Sequence, residues 1–151
     1  MAIVLGRDCY GITLSANVIA HNGAGIDLRD AHRCCVSANT MTLMQTDAVR
    51  IGPNADRIAV TGNSFCNSYI GAGQVKRNTE DRNAAGLVLN DTHDIAIVGN
   101  RFSSVRPKGL AVEGERVRKV LFSNNVLTDV QTDEEKLNQS RVANNLASDG
   151  S

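Results

Sequence analysis

The nine residues from Asp94 to Phe102, DIAIVGNRF, are the stretch that decides the fold of this chain. Apolar residues alternate with others through DIAIV, and a Gly, an Asn and then an aromatic residue follow. Alternation with a period of two predicts a strand with one buried face, and the Gly-Asn pair predicts the turn that ends it. Related versions occur four more times: ITLSANVI ending at Ile19, CCVSANTM ending at Met41, IAVTGNSF ending at Phe65 and VLFSNNVL ending at Leu127.

The asparagines of these five copies define a repeat. They are separated by 22, 24, 37 and 25 residues, and an insertion of about 13 residues explains the long interval. Such a period is typical of a solenoid, in which stacked units bury a face that no unit could bury alone. We expect each Asn to occupy the corner of its rung and its amide to bond to the Asn of the next rung. The predicted ladder consists of Asn17, Asn39, Asn63, Asn100 and Asn125.

A second strand precedes each asparagine, and these strands end at Leu5, Leu28, Ile51, Leu89 and Val112. The residues pointing outward from these strands should stack in one column: Val4, Asp27, Arg50, Val88 and Ala111. No helical period of 3.6 residues is sustained anywhere. The predicted fold is therefore all-β, a parallel β-helix of five to six rungs with 22–25 residues in each.

The repeat also suggests a division of the chain. Rungs are predicted over residues 1–128, with a loop insertion at 66–85. Residues 129–146 are predicted to form a degenerate last rung or a cap, and residues 147–151 a disordered tail. Because the sequence begins directly on a repeat strand, we expect either a fragment of a longer solenoid or an end that another chain covers.

Composition narrows the classes of function. Of 151 residues, 16 are basic and 16 acidic, so nothing indicates a general affinity for nucleic acid or anionic membranes. No apolar run has the length of a membrane span, and no signal peptide is recognisable, which leaves the localisation open. The four cysteines, at positions 9, 34, 35 and 66, form no CxxC pair, and no metal site is predicted.

The repeated pattern, two alternating apolar residues before Gly-Asn-x-Phe with a second apolar strand between copies, resembles a known family. It is similar to the right-handed parallel β-helix of the pectin-lyase-like superfamily, over roughly residues 2–128. The resemblance implies a substrate groove along one outer sheet, walled by loops. Lyases of this superfamily use carboxylates there to hold Ca²⁺ and an Arg or Lys to abstract a sugar proton, so Ca²⁺ is expected only if the chain is lyase-like.

Carried onto this sequence, the resemblance makes Asp27 and Arg50 the candidate catalytic residues. Val88 and Ala111 stand where further acids would be expected, which argues against a complete active site. The alternative for Asp27 and Arg50 is a surface ion pair between rungs, worth about 0–1 kcal/mol. The candidate substrate-binding residues are Arg29, Lys76, Arg77 and Lys108.

Two Asp-x-His pairs, at residues 30–32 and 91–93, occupy equivalent corners and also suggest catalysis. Their recurrence favours turn chemistry instead, in which an Asp or Asn stabilises the backbone of the turn.

Two functions remain open. The first is a carbohydrate-associated β-helix, a fragment of a polysaccharide-binding or lyase-like protein without a complete active site. The second is a non-catalytic structural or adhesive solenoid that associates with itself end to end. The outer face of the second strand distinguishes them, because an enzyme of this kind requires clustered carboxylates there.

Overall fold

A computed structural model describes residues 1–66 and 85–148. These residues form nineteen strands, numbered along the chain, and one 3-10 helix at Glu134–Lys136. All strand pairs are parallel, and successive turns of the chain add strands to three sheets, A, B and C. The predicted parallel solenoid is confirmed.

Sheet A contains the second strand of the repeat: β1 (Ile3–Leu5), β5 (Ile26–Leu28), β9 (Asp47–Ile51), β12 (Ala85–Asn90) and β15 (Leu110–Glu113). Sheet B contains the strands before the asparagines: β2 (Cys9–Tyr10), β3 (Thr13–Ser15), β6 (Ala31–His32), β7 (Cys35–Ser37), β10 (Asp56–Thr61), β13 (His93–Val98), β16 (Arg118–Ser123) and β18 (Arg141–Ala143). Sheet C follows the asparagines: β4 (Val18–Ala20), β8 (Thr40–Thr42), β11 (Ser64–Cys66), β14 (Arg101–Ser103), β17 (Val126–Thr128) and β19 (Leu146–Ser148).

The core lies between the three sheets and is built from the apolar columns that the repeat predicts. In sheet B the positions five and three residues before each asparagine are buried from the second rung to the fifth. In sheet C the buried column contains Phe65 and Phe102, whose rings stack with centroids 4.6 Å apart. Because side chains of similar shape stack directly on one another, each rung closes the core of its neighbour.

Left-handed backbone angles mark the corners, and they repeat from rung to rung. At the asparagine corner the residue with positive φ is the one before the Asn, namely Ala16, Ala38, Gly62, Gly99, Asn124 and Asn144, with φ between 53° and 68°. The expectation that the Asn itself makes this turn is therefore wrong by one position. The asparagine has ordinary φ, which leaves its side chain directed along the solenoid axis.

The five predicted asparagines form the ladder, and Asn145 extends it to a sixth rung. Each side-chain Nδ2 donates to Oδ1 of the next asparagine along the chain, at 2.9–3.1 Å. The backbone N–H of each asparagine donates to the same Oδ1. Every bond therefore runs in one direction, from the earlier rung to the later one.

The last rung keeps strands in sheets B and C, β18 and β19, whereas its sheet A position is irregular. There the buried carboxylate of Asp133, the residue before the 3-10 helix, accepts the Val112 N–H at 3.1 Å. Strand β19 runs to Ser148, two residues into the predicted tail. The predicted insertion falls between β11 and β12, and its residues 67–84 lie outside the described residues.

Candidate functional site

The outward column of sheet A has the predicted register. Val4 pairs with Asp27, Asp27 with Arg50, Arg50 with Val88, and Val88 with Ala111. The two candidate catalytic residues are thus neighbours on strands β5 and β9, at the separation of paired strands, roughly 4.8 Å.

The side chains of Asp27 and Arg50 nevertheless contact other residues and not each other. Among the described residues no ion pair joins Asp27 to Arg50, so the alternative of an ion pair between these two residues is wrong. Arg50 donates from Nε to Asp47 Oδ2 at 2.9 Å and from Nη1 to Glu113 Oε2 at 2.7 Å. The guanidinium reaches past the Val88 rung to meet Glu113 on β15, because an arginine side chain is longer than the spacing of one rung.

These contacts bear on the chemistry that Arg50 can perform. Hydrogen bonds to Glu113 and then to Asp47 raise the pKa of Arg50 above its already high ordinary value. A residue that abstracts a proton must lose its own proton at the working pH, and a raised pKa opposes this. The geometry therefore favours a cation that binds or positions over a general base.

Asp27 is nearly inaccessible to solvent, with 1% of its surface exposed. Its Oδ2 accepts a hydrogen bond of 2.6 Å from Arg29 Nε, and its Oδ1 has no partner among the described residues. Buried carboxylate oxygens are normally hydrogen-bonded, so an unpartnered one is an acceptor available to a donor that enters the site. Arg29 itself is 63% exposed at its side chain and covers this carboxylate.

The outer face of sheet A thus carries a set of paired planar groups, which we call the polar row: Asp27, Arg29, Asp47, Arg50, Asn90 and Glu113. It extends over four successive strands, from β5 to β15. The row combines three carboxylates with two guanidinium groups and an amide, so its formal net charge is −1. Sequence reasoning missed Asp47 and Glu113, although each is a charged residue at an end of a sheet A strand.

Among the remaining candidate substrate-binding residues, Lys108 is described and lies outside the polar row. The ammonium group of Lys108 contacts Asp133 Oδ1, within the segment that closes the end of sheet A. Lys76 and Arg77 lie outside the described residues, and their predicted role stays a prediction. Of the two candidates among the described residues, Arg29 belongs to the polar row and Lys108 does not.

The first Asp-x-His pair brings together a second group of polar side chains at the corner between sheets A and B. His32 Nδ1 lies 2.8 Å from Asp56 Oδ1, and its Nε2 lies 3.5 Å from Asp30 Oδ1. The ring of Tyr10 stacks on His32 with centroids 4.9 Å apart. Burial acts to raise the pKa of Asp56, but hydrogen bonds from His32 and Arg57 outweigh it and lower that pKa.

The turn interpretation of these corners is supported. Asp8, Asp30, Asn54 and Asp91 all have positive φ, between 47° and 67°. Asp91 stabilises the next rung rather than its own turn, since its Oδ1 accepts the N–H groups of Glu115 and Arg116, both at 3.1 Å. In the second pair His93 contacts its neighbour Asp94, at 2.9 Å.

The described part of the chain lacks two further classes of feature. No group of three or more His, Cys, Asp or Glu side chains there is placed to hold a metal ion. No helix there is long and apolar enough to cross a membrane.

Comparison with known proteins gives one match. The sequence fits a family model described as a right handed beta helix region, over residues 2–148. Searches of curated proteins and of solved structures gave no significant match. The match covers nearly the whole chain and supplies the handedness that the resemblance to the pectin-lyase-like superfamily implies. The chain belongs to the right-handed β-helix family.

Proposed function

We propose that this chain binds a polysaccharide along the outer face of sheet A, without cleaving it. The observation that carries the proposal is the polar row, in which each charged side chain is held by a planar partner on the outer face of a parallel sheet. The Arg50–Glu113 pair is partly exposed, and ion pairs near the surface contribute only about 0–1 kcal/mol to stability. Their fixed positions therefore matter more for recognition than for folding.

The arrangement suits a sugar chain for two reasons. Carboxylates accept and guanidinium groups donate hydrogen bonds, so together they match hydroxyl groups, which do both. Successive rungs also present these groups at a spacing of roughly 4.8 Å, which is comparable with the length of one pyranose unit. Because the formal net charge of the row is −1, it favours a neutral polysaccharide over a polyanion.

The unpartnered Oδ1 of Asp27 supports the same assignment. A sugar hydroxyl that enters beside Arg29, itself a donor to the sugar, would donate to this oxygen and remove the cost of leaving it unpaired. Lyase activity is disfavoured because Arg50 is held protonated between Asp47 and Glu113.

The test is affinity electrophoresis of the purified chain through gels that contain a neutral β-glucan, pectate or alginate. We expect retardation by the neutral polymer and about tenfold weaker binding for Arg29→Ala, a loss of about 1.4 kcal/mol. Arg101→Ala removes an exposed arginine from sheet C and is the matched control. Equal losses in both variants, or no retardation by any polymer, would refute the proposal.

Cleavage is examined separately by incubating the chain with pectate and alginate, with and without Ca²⁺. Elimination leaves an unsaturated sugar that absorbs ultraviolet light. Its appearance would show that the chain is a lyase and that the binding-only assignment is wrong.

A further inference from the structure

The two ends of the solenoid have complementary edges in the described residues. At the first rung, strands β3 and β4 have a neighbour on one side only, and at the sixth rung the same holds for β18 and β19. Val18 on β4 is 77% exposed and Leu146 on β19 is 66% exposed. Both belong to one outward column of sheet C, which the strand register traces from Val18 through Val126 to Leu146.

The direction of the asparagine ladder gives each end a different hydrogen-bonding character. Within the chain the N–H and Nδ2 of each asparagine donate to Oδ1 of the following one. Asn17 Oδ1 therefore remains an acceptor at the first rung. The Asn145 N–H remains a donor at the sixth rung, with no acceptor among the described residues.

The backbone shows the same complementarity. At all five junctions between rungs, the residue that follows the ladder asparagine of one rung donates its N–H to the backbone carbonyl of the ladder asparagine in the previous rung, at 2.9 Å. Val18 occupies this position in the first rung, where no earlier asparagine is present among the described residues. The carbonyl of Asn145 is the equivalent acceptor at the other end.

The buried columns end in matching apolar side chains. In sheet B, Leu14 begins the inward column that Val142 ends. In sheet C, Ile19 begins the inward column that Ala147 ends. Stacking the sixth rung on a first rung would place apolar groups against each other in both sheets, as they lie within the chain.

We propose that copies of this chain associate head to tail, with the sixth rung of one copy pairing with the first rung of the next through sheets B and C. In this contact Asn145 donates to Asn17 Oδ1 of the next copy, and Leu146 packs beside Val18. The contact joins two different surfaces, so it is heterologous and extends into filaments. It uses other sheets than the polar row and goes beyond the proposed polysaccharide binding.

The experiment uses the whole chain and one substitution at each end. Ile12→Lys places a charge on an inward column of sheet B at the first-rung edge, and Val142→Lys does so at the sixth-rung edge, where stacking of a second copy would bury it. Val126→Lys is the control, because it adds the same charge at an exposed position inside the solenoid. Thermal melts of all variants establish that they fold, and light scattering after size-exclusion chromatography gives their masses over a wide range of protein concentration.

We expect the unsubstituted chain and Val126→Lys to grow with concentration, while each end variant alone stays monomeric. A blocked-end variant cannot pair with itself, because each pairing needs one edge of each kind. An equimolar mixture of Ile12→Lys and Val142→Lys retains one intact edge of each kind, so it should form dimers and nothing larger. An unsubstituted chain that stays monomeric throughout would overturn the proposal. Loss of association in only one end variant would indicate a symmetric contact and would also overturn it.

Discussion

Ala16 and Ala38 occupy a corner position that two other rungs fill with glycine, Gly62 and Gly99. All four have φ between 53° and 68°. A side chain with a Cβ is strained in this left-handed region, whereas glycine adopts it freely. The corners at Ala16 and Ala38 are therefore strained, whereas those at Gly62 and Gly99 are not. The hydrogen bonds of the asparagine ladder hold the strained corners in place.

We predict that Ala38→Gly raises the free energy of unfolding by up to about 1 kcal/mol, because relief of strain exceeds the added flexibility of the unfolded chain. Urea denaturation measures the difference. The control is Ala59→Gly in the middle of strand β10, where glycine should instead lower stability by about 0.5–1 kcal/mol. Destabilisation by both substitutions would show that the corner at Ala38 is not strained.

At the residue scale the sequence predicts the ladder correctly but places the turn one position too late. The spacing of Asn17, Asn39 and the later asparagines identifies the ladder, because only a stacked structure requires one residue type at that interval. Which of two adjacent residues adopts a positive φ is a matter of local geometry. The sequence did contain a signal for the position of the turn: Gly62 and Gly99 directly precede ladder asparagines, and glycine is the residue that most readily adopts a positive φ.

Among the elements, the segment that closes the end of sheet A depends on one buried carboxylate. Asp133 accepts the Val112 N–H and contacts Lys108 and Lys136. Burial acts to raise the pKa of Asp133, but hydrogen bonds from Lys108, Val112 and Lys136 outweigh it and lower that pKa. A carboxyl group with a lowered pKa stabilises the fold above its ordinary pKa, and this stability is lost as the pH falls through the lowered value.

We therefore predict that Asp133→Asn reduces stability by about 1–3 kcal/mol at neutral pH, because the ion pairs with two lysines are lost. The difference from the unsubstituted protein should shrink as the pH falls below about 4, where the ordinary Asp titrates. Thermal melts from neutral to acidic pH measure it. Asp129→Asn, which removes an exposed ion pair with Arg106, serves as the control and should change stability little. A pH-independent difference for Asp133→Asn would contradict the assignment.

In sheet A the sequence predicts which side chains point outward but not which partners they contact. Alternation of apolar residues determines which side chains point outward, and the column from Val4 to Ala111 has the predicted register. The pattern does not determine which partner a long side chain selects. Arg50 has carboxylates within reach on its own strand and two rungs away, so the adjacent Asp27 is only one of several choices. The polar row follows from side-chain length and rotamer, which periodicity does not encode.

For the whole molecule, the solenoid architecture predicts a gradient of stability along its axis. Inner rungs have neighbours on both sides, whereas the first and sixth rungs have a neighbour on one side among the described residues. Stability in such proteins is approximately a sum of rung terms and contacts between neighbours. Opening should therefore begin at the ends and reach the centre last.

Hydrogen exchange followed by mass spectrometry tests this gradient. In dilute protein, we expect amides of β10 and β13 to exchange slowest, and those of β3, β4, β18 and β19 to exchange fastest. If the first and sixth rungs pair between copies, protection of the end strands should increase with protein concentration while the central strands stay unchanged. Uniform protection along the chain would show that it opens as one cooperative unit instead.

The one-way course of the asparagine ladder has a consequence for the length of the molecule. From the second to the fifth in the series, each asparagine accepts the same hydrogen bonds from the asparagine of the previous rung. Each also donates the same hydrogen bonds to the asparagine of the next rung. The hydrogen bonds of an inner asparagine therefore do not depend on which rung it occupies. Duplicating or removing a whole unit would leave the hydrogen bonds of every remaining ladder asparagine unchanged, so the ladder sets no limit on the number of rungs.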